Sequence, residues 1–443
     1  MTIKRKLFFA ERLLDLDGDR SLDPISITYM FSIKGNIPLE RIRIVLDKLQ
    51  KQHPAFRARI EGKYIFYEDP GVVPPIPLKI IERVSDETWK KEKEPFTLER
   101  YDYEKGPLFR VLWIRSNELS EFIFTGLHVI LDWKSCVLLA NEFLTLINEP
   151  DRELKPYLPI SSLKELLTDV SLTWKEKLMG NVWAEIMRWK LIIATWNKKM
   201  PPRPQNYRLF LNLDNENSLA LKKITEKKKV SLGSISCLLA AKLFKARFHP
   251  QNPNCIIYMS LDIRRFVSTV KKNMVFGFAP MIYPRIQVWD DKELWEQAGD
   301  FDKMLADKVL VKQKTHSKSI FHSLTRGLVF AEYYYNRVVK LMVKRNIRVN
   351  EGFDFIFLNL GKQFPLLKNP EFSVQTAYTP ELRMPWFNSN IFGVGEFFDD
   401  TIGFGFFANE HHIPEKTMRK IRSDFEQAIF ELIKKDPDVN DQS

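Results

Sequence analysis

The sequence predicts a mixed α/β protein built as two lobes. Three observations carry this. The chain has 443 residues, a length that suits two units of about 200 residues better than one. Strand-like and helix-like patterns alternate along most of it. Near the middle, a helical stretch rich in Trp and Lys, closed by Pro201-Pro202-Arg203-Pro204, interrupts that alternation. The division is therefore an N-terminal lobe at 1–165, a helical linker at 166–205 and a C-terminal lobe at 206–443.

In the first lobe, residues 25–33 alternate and predict a strand. Pro38 opens a helix, which Ile42, Val45, Leu46 and Leu49 continue and His53-Pro54 ends. Residues 64–67 and 78–81 are short strand candidates. Gly106-Pro107 leads into a strand at Leu108–Ile114, and a second apolar strand fits 121–128. Cys136 to Leu144 is apolar at helical spacing. In the linker, Trp174, Trp183, Trp189 and Trp196 stand among lysines. That pattern has two readings: a crossover helix pair packed on the protein, or an amphipathic surface resting on a membrane.

The second lobe begins with a strand at Tyr207–Leu213. Helices follow at Ser218–Lys228 and Ser231–Phe248, then a strand at Cys255–Leu261. Residues 292–314 and 326–347 read as helices. Strands are expected at Asp354–Leu360, Ile391–Phe398 and Ile402–Ala408, and a final amphipathic helix at Pro414–Lys434. No internal repeat is evident.

Composition narrows the function. Aromatic residues make up 13% of the chain, with 33 Phe, which implies large cores or a wide apolar channel. The three cysteines, Cys136, Cys237 and Cys255, form no Cys-x-x-Cys. This argues for reduced thiols, no metal site and a cytoplasmic setting. Met1 to Arg12 lacks a long apolar stretch, so no secretory signal is expected. No run of about 18 uncharged apolar residues is present to span a membrane. The formal net charge is +12. It would suit an anionic membrane, a phosphorylated cofactor or an acidic carrier protein. The charges are scattered and no nucleic-acid signature accompanies them, so nucleic acid is not expected as a partner.

Chemistry concentrates in His128-Val129-Ile130-Leu131-Asp132-Trp133-Lys134-Ser135. A histidine at a strand end, in an apolar setting, is where a general base would be built. The competing structural reading is a satisfied core histidine, with Asp132 capping the following helix. Of the seven histidines only His128 has an Asp at +4.

These residues resemble the His-His-x-x-x-Asp-Gly-x-Ser motif of the chloramphenicol-acetyltransferase-like superfamily, which includes condensation domains and thioester-dependent acyltransferases. His128, Asp132 and Ser135 match; Leu127 replaces the first His and Trp133 the Gly. Weaker matches occur in the family's order. They are His53-Pro54-Ala55-Phe56-Arg57, Gly106 to Val111, Val230 to Ala241, Ser260-Leu261-Asp262-Ile263-Arg264, Asn273 to Gly277, Leu358-Asn359-Leu360-Gly361, and Gly403 to Phe406 with the final helix.

The resemblance implies two chloramphenicol-acetyltransferase-like lobes in a V, with the active site in a tunnel at their junction. It implies His128 as general base and Asp132 paired with an arginine, for which Arg264 is the candidate. Ser135 has two readings, an oxyanion donor or a helix cap. Asn359 would orient substrate or satisfy a strand end. Trp133 would either narrow the tunnel or fill the first lobe's core.

The implied function is a stand-alone acyltransferase with no permanently bound cofactor. An acyl-CoA or a phosphopantetheine-linked acyl thioester on an acidic acyl carrier protein would be the donor. A small-molecule alcohol or amine would be the acceptor, with ester formation favoured. The alternatives are a degenerate member kept as a binding scaffold and a membrane-peripheral lipid acyltransferase. A cytoplasmic monomer, with possible membrane association, is expected.

Overall fold

The computed structural model describes residues 2–15, 25–162, 165, 174–195, 206–252, 254–260, 262, 264, 269–277, 281–282, 284–289, 291–306, 354–364, 370–383, 390–397, 401–410 and 412–435. The helix expected at 326–347 lies outside these residues, as do the ends of the linker.

The first large sheet is built around β2 (Ser26–Lys34) and β7 (Leu119–Leu127), which pair antiparallel over nine residues. β6 (Phe109–Arg115) flanks β7, and β5 (Leu78–Glu82) joins β6 in parallel. Both faces are covered, which is why β7 reads as nearly continuous apolar sequence. Phe122 and Phe124 pack with Phe143 of α4 (Trp133–Asn148), alongside α2 (Leu39–Gln52). On the opposite face Ile123 meets Phe96 of α3 (Thr88–Leu98). A small antiparallel sheet of β1 (Ile3–Lys6), β4 (Tyr64–Tyr67) and β3 (Ala58–Glu61) stands apart, with α1 (Phe9–Leu14) following β1.

After helix α5 (Trp174–Thr195), the second sheet carries β8 (Asn206–Asn212), β9 (Asn254–Ser260), β10 (Met281–Ile282), β12 (Phe355–Lys362), β15 (Ile391–Glu396) and β16 (Ile402–Asn409). Its order is β10-β9-β12-β15-β16-β8, with β11 (Arg285–Gln287) paired to β9. β12 runs parallel to β9 and β15, and the other pairings are antiparallel. Helices α6 (Asn215–Lys228), α7 (Leu232–Phe248), α8 (Leu294–Ala306) and α9 (Glu415–Lys434) contribute to the core on one face. There Phe425 of α9 touches Phe392, Phe404 and Phe406.

The opposite face of the second sheet meets the first lobe. Ile356, Leu358, Leu360, Ile391 and Phe407 belong to the same continuous core as β2, β7 and α4. The chain also crosses over. β13 (Ser373–Ala377) and β14 (Glu381–Arg383) both pair with β2. Residues 373–383, which the linear division places in the second lobe, are thus strands of the first sheet. Two mixed sheets joined by a shared core and a crossover define a two-lobed mixed α/β fold.

Candidate active site

β7 ends at Leu127, and the next residue is His128. The turn between β7 and α4 folds back tightly. A Cβ on Gly126 would lie 2.5 Å from the Leu131 side chain and 3.2 Å from the Leu108 carbonyl, so only glycine leaves room there. The turn is held at both ends. The His128 N–H donates to the Ile25 carbonyl at 2.9 Å, and the Ile130 N–H to the Leu127 carbonyl at 3.0 Å.

The imidazole is partly accessible but crowded by protein. Its Nδ1 lies 2.6 Å from the Leu131 carbonyl oxygen. A carbonyl only accepts, so Nδ1 carries the hydrogen and donates it. The lone pair is therefore on Nε2. Burial lowers the pKa of His128 from 6.5; the Leu131 hydrogen bond and the Asp132 charge oppose that shift without cancelling it. At neutral pH the ring is an uncharged base with one nitrogen pinned.

Asp132 is the N-cap of α4 and accepts from the Ser135 N–H at 2.6 Å. Its carboxylate also receives both ends of the Arg264 guanidinium, Nη1 to Oδ2 at 2.9 Å and Nη2 to Oδ1 at 3.1 Å. Such a bidentate pair is geometrically demanding and strong. Both side chains are buried. Burial works against the charge on Arg264, but Asp132 and then Asp262 outweigh it and raise its pKa.

Arg264 donates further to the Met274 carbonyl at 3.0 Å and to Ser135 Oγ at 2.7 Å. The structure thus brings Asp132, Arg264 and Ser135 into one buried network. Asp132 serves as a structural bridge within it.

Ser135 takes a different place from either expected reading. Asp132, not Ser135, caps the helix. The Ser135 hydroxyl donates to the Phe276 carbonyl at 2.8 Å and accepts from the Phe276 N–H at 2.8 Å and from Arg264. One donor and two lone pairs are all committed, so nothing is left to bind an oxyanion.

The loop 269–277 is stapled to the first lobe by more than this. The Asp132 N–H donates to the Phe276 carbonyl at 3.1 Å. His53 Nδ1 accepts from the Val275 N–H at 3.2 Å, while its Nε2–H donates to Glu142 at 2.6 Å. A Cβ on Gly277 would sit 2.3 Å from the Val129 carbonyl oxygen, within the turn that carries His128. The His53-Pro54 segment stands among the motif matches, but nothing local in the sequence marks His53 for this contact. Glu142 and the Phe276 main chain gave no signal, because their partners lie far away in sequence.

Trp133 is the first residue of α4 and is 6% exposed. Its ring stands 6.4 Å from that of Phe407 on β16, so it packs where the first lobe meets the second sheet. Asn359 is exposed on β12, and its Oδ1 accepts from the Gly361 N–H at 3.1 Å, beside an irregularity in the pairing of β12 with β15. That is a local role at a strand bulge. Burial pushes the Cys136 thiol well above its ordinary pKa, with Asp132 adding to the shift, so this neighbouring sulfur is no nucleophile. Among the described residues no His, Cys, Asp and Glu cluster could hold a metal ion, and no helix is long and apolar enough to cross a membrane.

No family profile and no curated protein sequence matches the chain. Solved structures do, over nearly its whole length. TRI3 trichothecene 15-O-acetyltransferase from Fusarium sporotrichioides superposes with a TM-score of 0.67 at 13% identity, covering 98% of this chain and 95% of that one. Polyketide synthase associated protein 5 from Mycobacterium tuberculosis gives 0.62 at 14% identity, covering 96% and 97%. The condensation domain of the monacolin K polyketide synthase MokA gives 0.63 at 12% identity, covering 96% and 97%. With two mixed sheets and this span of structural likeness, the chain has the two-lobed chloramphenicol-acetyltransferase-like fold of condensation domains.

Proposed function

We propose that the protein is an acyltransferase that moves an acyl group from a CoA or acyl-carrier-protein thioester to a small-molecule alcohol, with an amine as the second class of acceptor. One observation carries this: the His128 ring has Nδ1 fixed on the Leu131 carbonyl and its lone pair on Nε2. Nε2 removes the acceptor's proton as the acceptor oxygen attacks the thioester carbonyl. The tetrahedral intermediate then expels the thiolate, which takes the proton back from Nε2. A positioned base contributes roughly 10²–10⁴ in rate, and holding the two substrates together supplies much of the rest.

Asp132 and Arg264 set the shape of the turn and are positioning residues. The oxyanion would be stabilised by groups other than Ser135. TRI3, named as an O-acetyltransferase, supports ester formation as the preferred outcome. The net charge of +12 suits the phosphates of CoA or an acidic carrier protein. On this reading the protein works as a monomer, without a bound cofactor.

The test is release of free thiol from a panel of acyl-CoA and acyl-carrier thioesters, with and without alcohols and amines. Thiol release that depends on the acceptor, with no acyl-protein adduct by mass spectrometry, is expected. Transfer through a stable acyl-enzyme would contradict direct attack.

A further inference from the structure

Among the described side chains of helix α5 (Trp174–Thr195), the exposed ones are nearly all large and apolar. Trp174, Leu178, Val182, Ile186, Trp189 and Ile193 recur every three or four residues, and each is between 42% and 72% exposed. They form a stripe roughly 28 Å long at 1.5 Å per residue. Exposed apolar residues scattered singly need no explanation, but a continuous stripe of this length marks an interaction surface.

The charge carried by this stretch of sequence says what kind. Residues 174–203 hold seven Lys or Arg against two Glu. Lys175 lies exposed beside the stripe, with its Nζ 5.8 Å from the Trp174 ring centroid. A second copy of the chain would bring two such basic segments together, and their repulsion opposes self-association. An anionic bilayer offers the opposite charge and an apolar layer in one surface. Tryptophan suits that boundary, because its ring is mostly apolar while its N–H can stay wet. The helix is not apolar enough to cross a bilayer. A helix of this kind would lie along the bilayer surface rather than through it.

We infer that α5 is a peripheral membrane anchor that binds anionic lipid surfaces. It would bring the protein to a bilayer without inserting through it, whatever reaction the His128 site performs.

Flotation of the full-length protein with vesicles tests this. Phosphatidylcholine vesicles are compared with phosphatidylcholine–phosphatidylglycerol vesicles, for wild type and for the triple variant Val182→Ser, Ile186→Ser, Ile193→Ser. These side chains are exposed, so the melting temperature should stay close to that of wild type. The expected result is flotation of wild type only with the anionic vesicles, loss of it in the triple variant and weakening in high salt. Wild type that floats with neither vesicle overturns the inference. So does a triple variant that floats undiminished. A dimer in sedimentation velocity that the triple variant abolishes, without vesicle binding, would assign the stripe to a second copy instead. No readout here involves acyl transfer, so this result stands apart from the proposed activity.

Discussion

At the scale of single residues, His128 and Trp133 make the sharpest claims. Burial holds the His128 pKa below 6.5, so protonating the folded chain is harder than protonating the unfolded one. As pH falls, the unfolded chain takes up this proton first. The stability tied to His128 is therefore whole above about 6.5 and is lost as pH falls from there through the lower folded-state pKa. The same shift predicts that kcat/KM is flat at neutral pH and declines with an apparent pKa below 6.5. An NMR titration of the imidazole checks the ionisation directly; a pKa above 6.5 would contradict the burial argument. Trp133 stands at a position the resemblance fills with glycine, and it is buried against Phe407. Trp133→Gly should cost about 3–5 kcal/mol through lost aromatic packing. A chain-length series of acyl donors decides whether it also shapes the choice of acyl group: an unchanged selectivity profile leaves Trp133 purely as packing.

At the scale of elements, the start of α4 and the loop 269–277 act as one unit. Asp132 links them through Arg264, and Ser135 through Phe276. Removing one member of a buried ion pair leaves the other charge uncompensated. Asp132→Ala should therefore lower stability by about 3–5 kcal/mol, measured by denaturant unfolding. A loss under about 1 kcal/mol would mean that the pair carries little of the turn's stability. Gly277→Ala should perturb the same unit from the other side, because its Cβ would collide with the Val129 carbonyl. It should lower activity and melting temperature together, through displacement of the turn that carries His128.

At the scale of the whole molecule, long periodic elements were legible and long-range pairings were not. β7, α4 and α9 carry clear strand or helix patterns and lie within a few residues of their expected bounds. β10, β11, β13 and β14 are two to five residues long and were missed. β13 and β14 find β2 across more than three hundred residues of chain, and no local pattern encodes that. The site divides the same way. His128, Asp132 and Arg264 stood in recognisable motifs. The partner of Ser135, the main chain of Phe276, lies 141 residues away and leaves no local signal. His53 went unassigned because it meets Val275 across 222 residues. These contacts join the halves of the chain, and they hold the proposed base at the junction.

The account's central claim is that His128 is the base of an acyl transfer. The most direct measurement is single-turnover transfer from a thioester to its alcohol acceptor, for wild type and His128→Ala, with melting temperatures recorded on the same samples. The account predicts a rate loss of about 10²–10⁴ with little change in melting temperature. Near-normal transfer by a folded His128→Ala protein would contradict it.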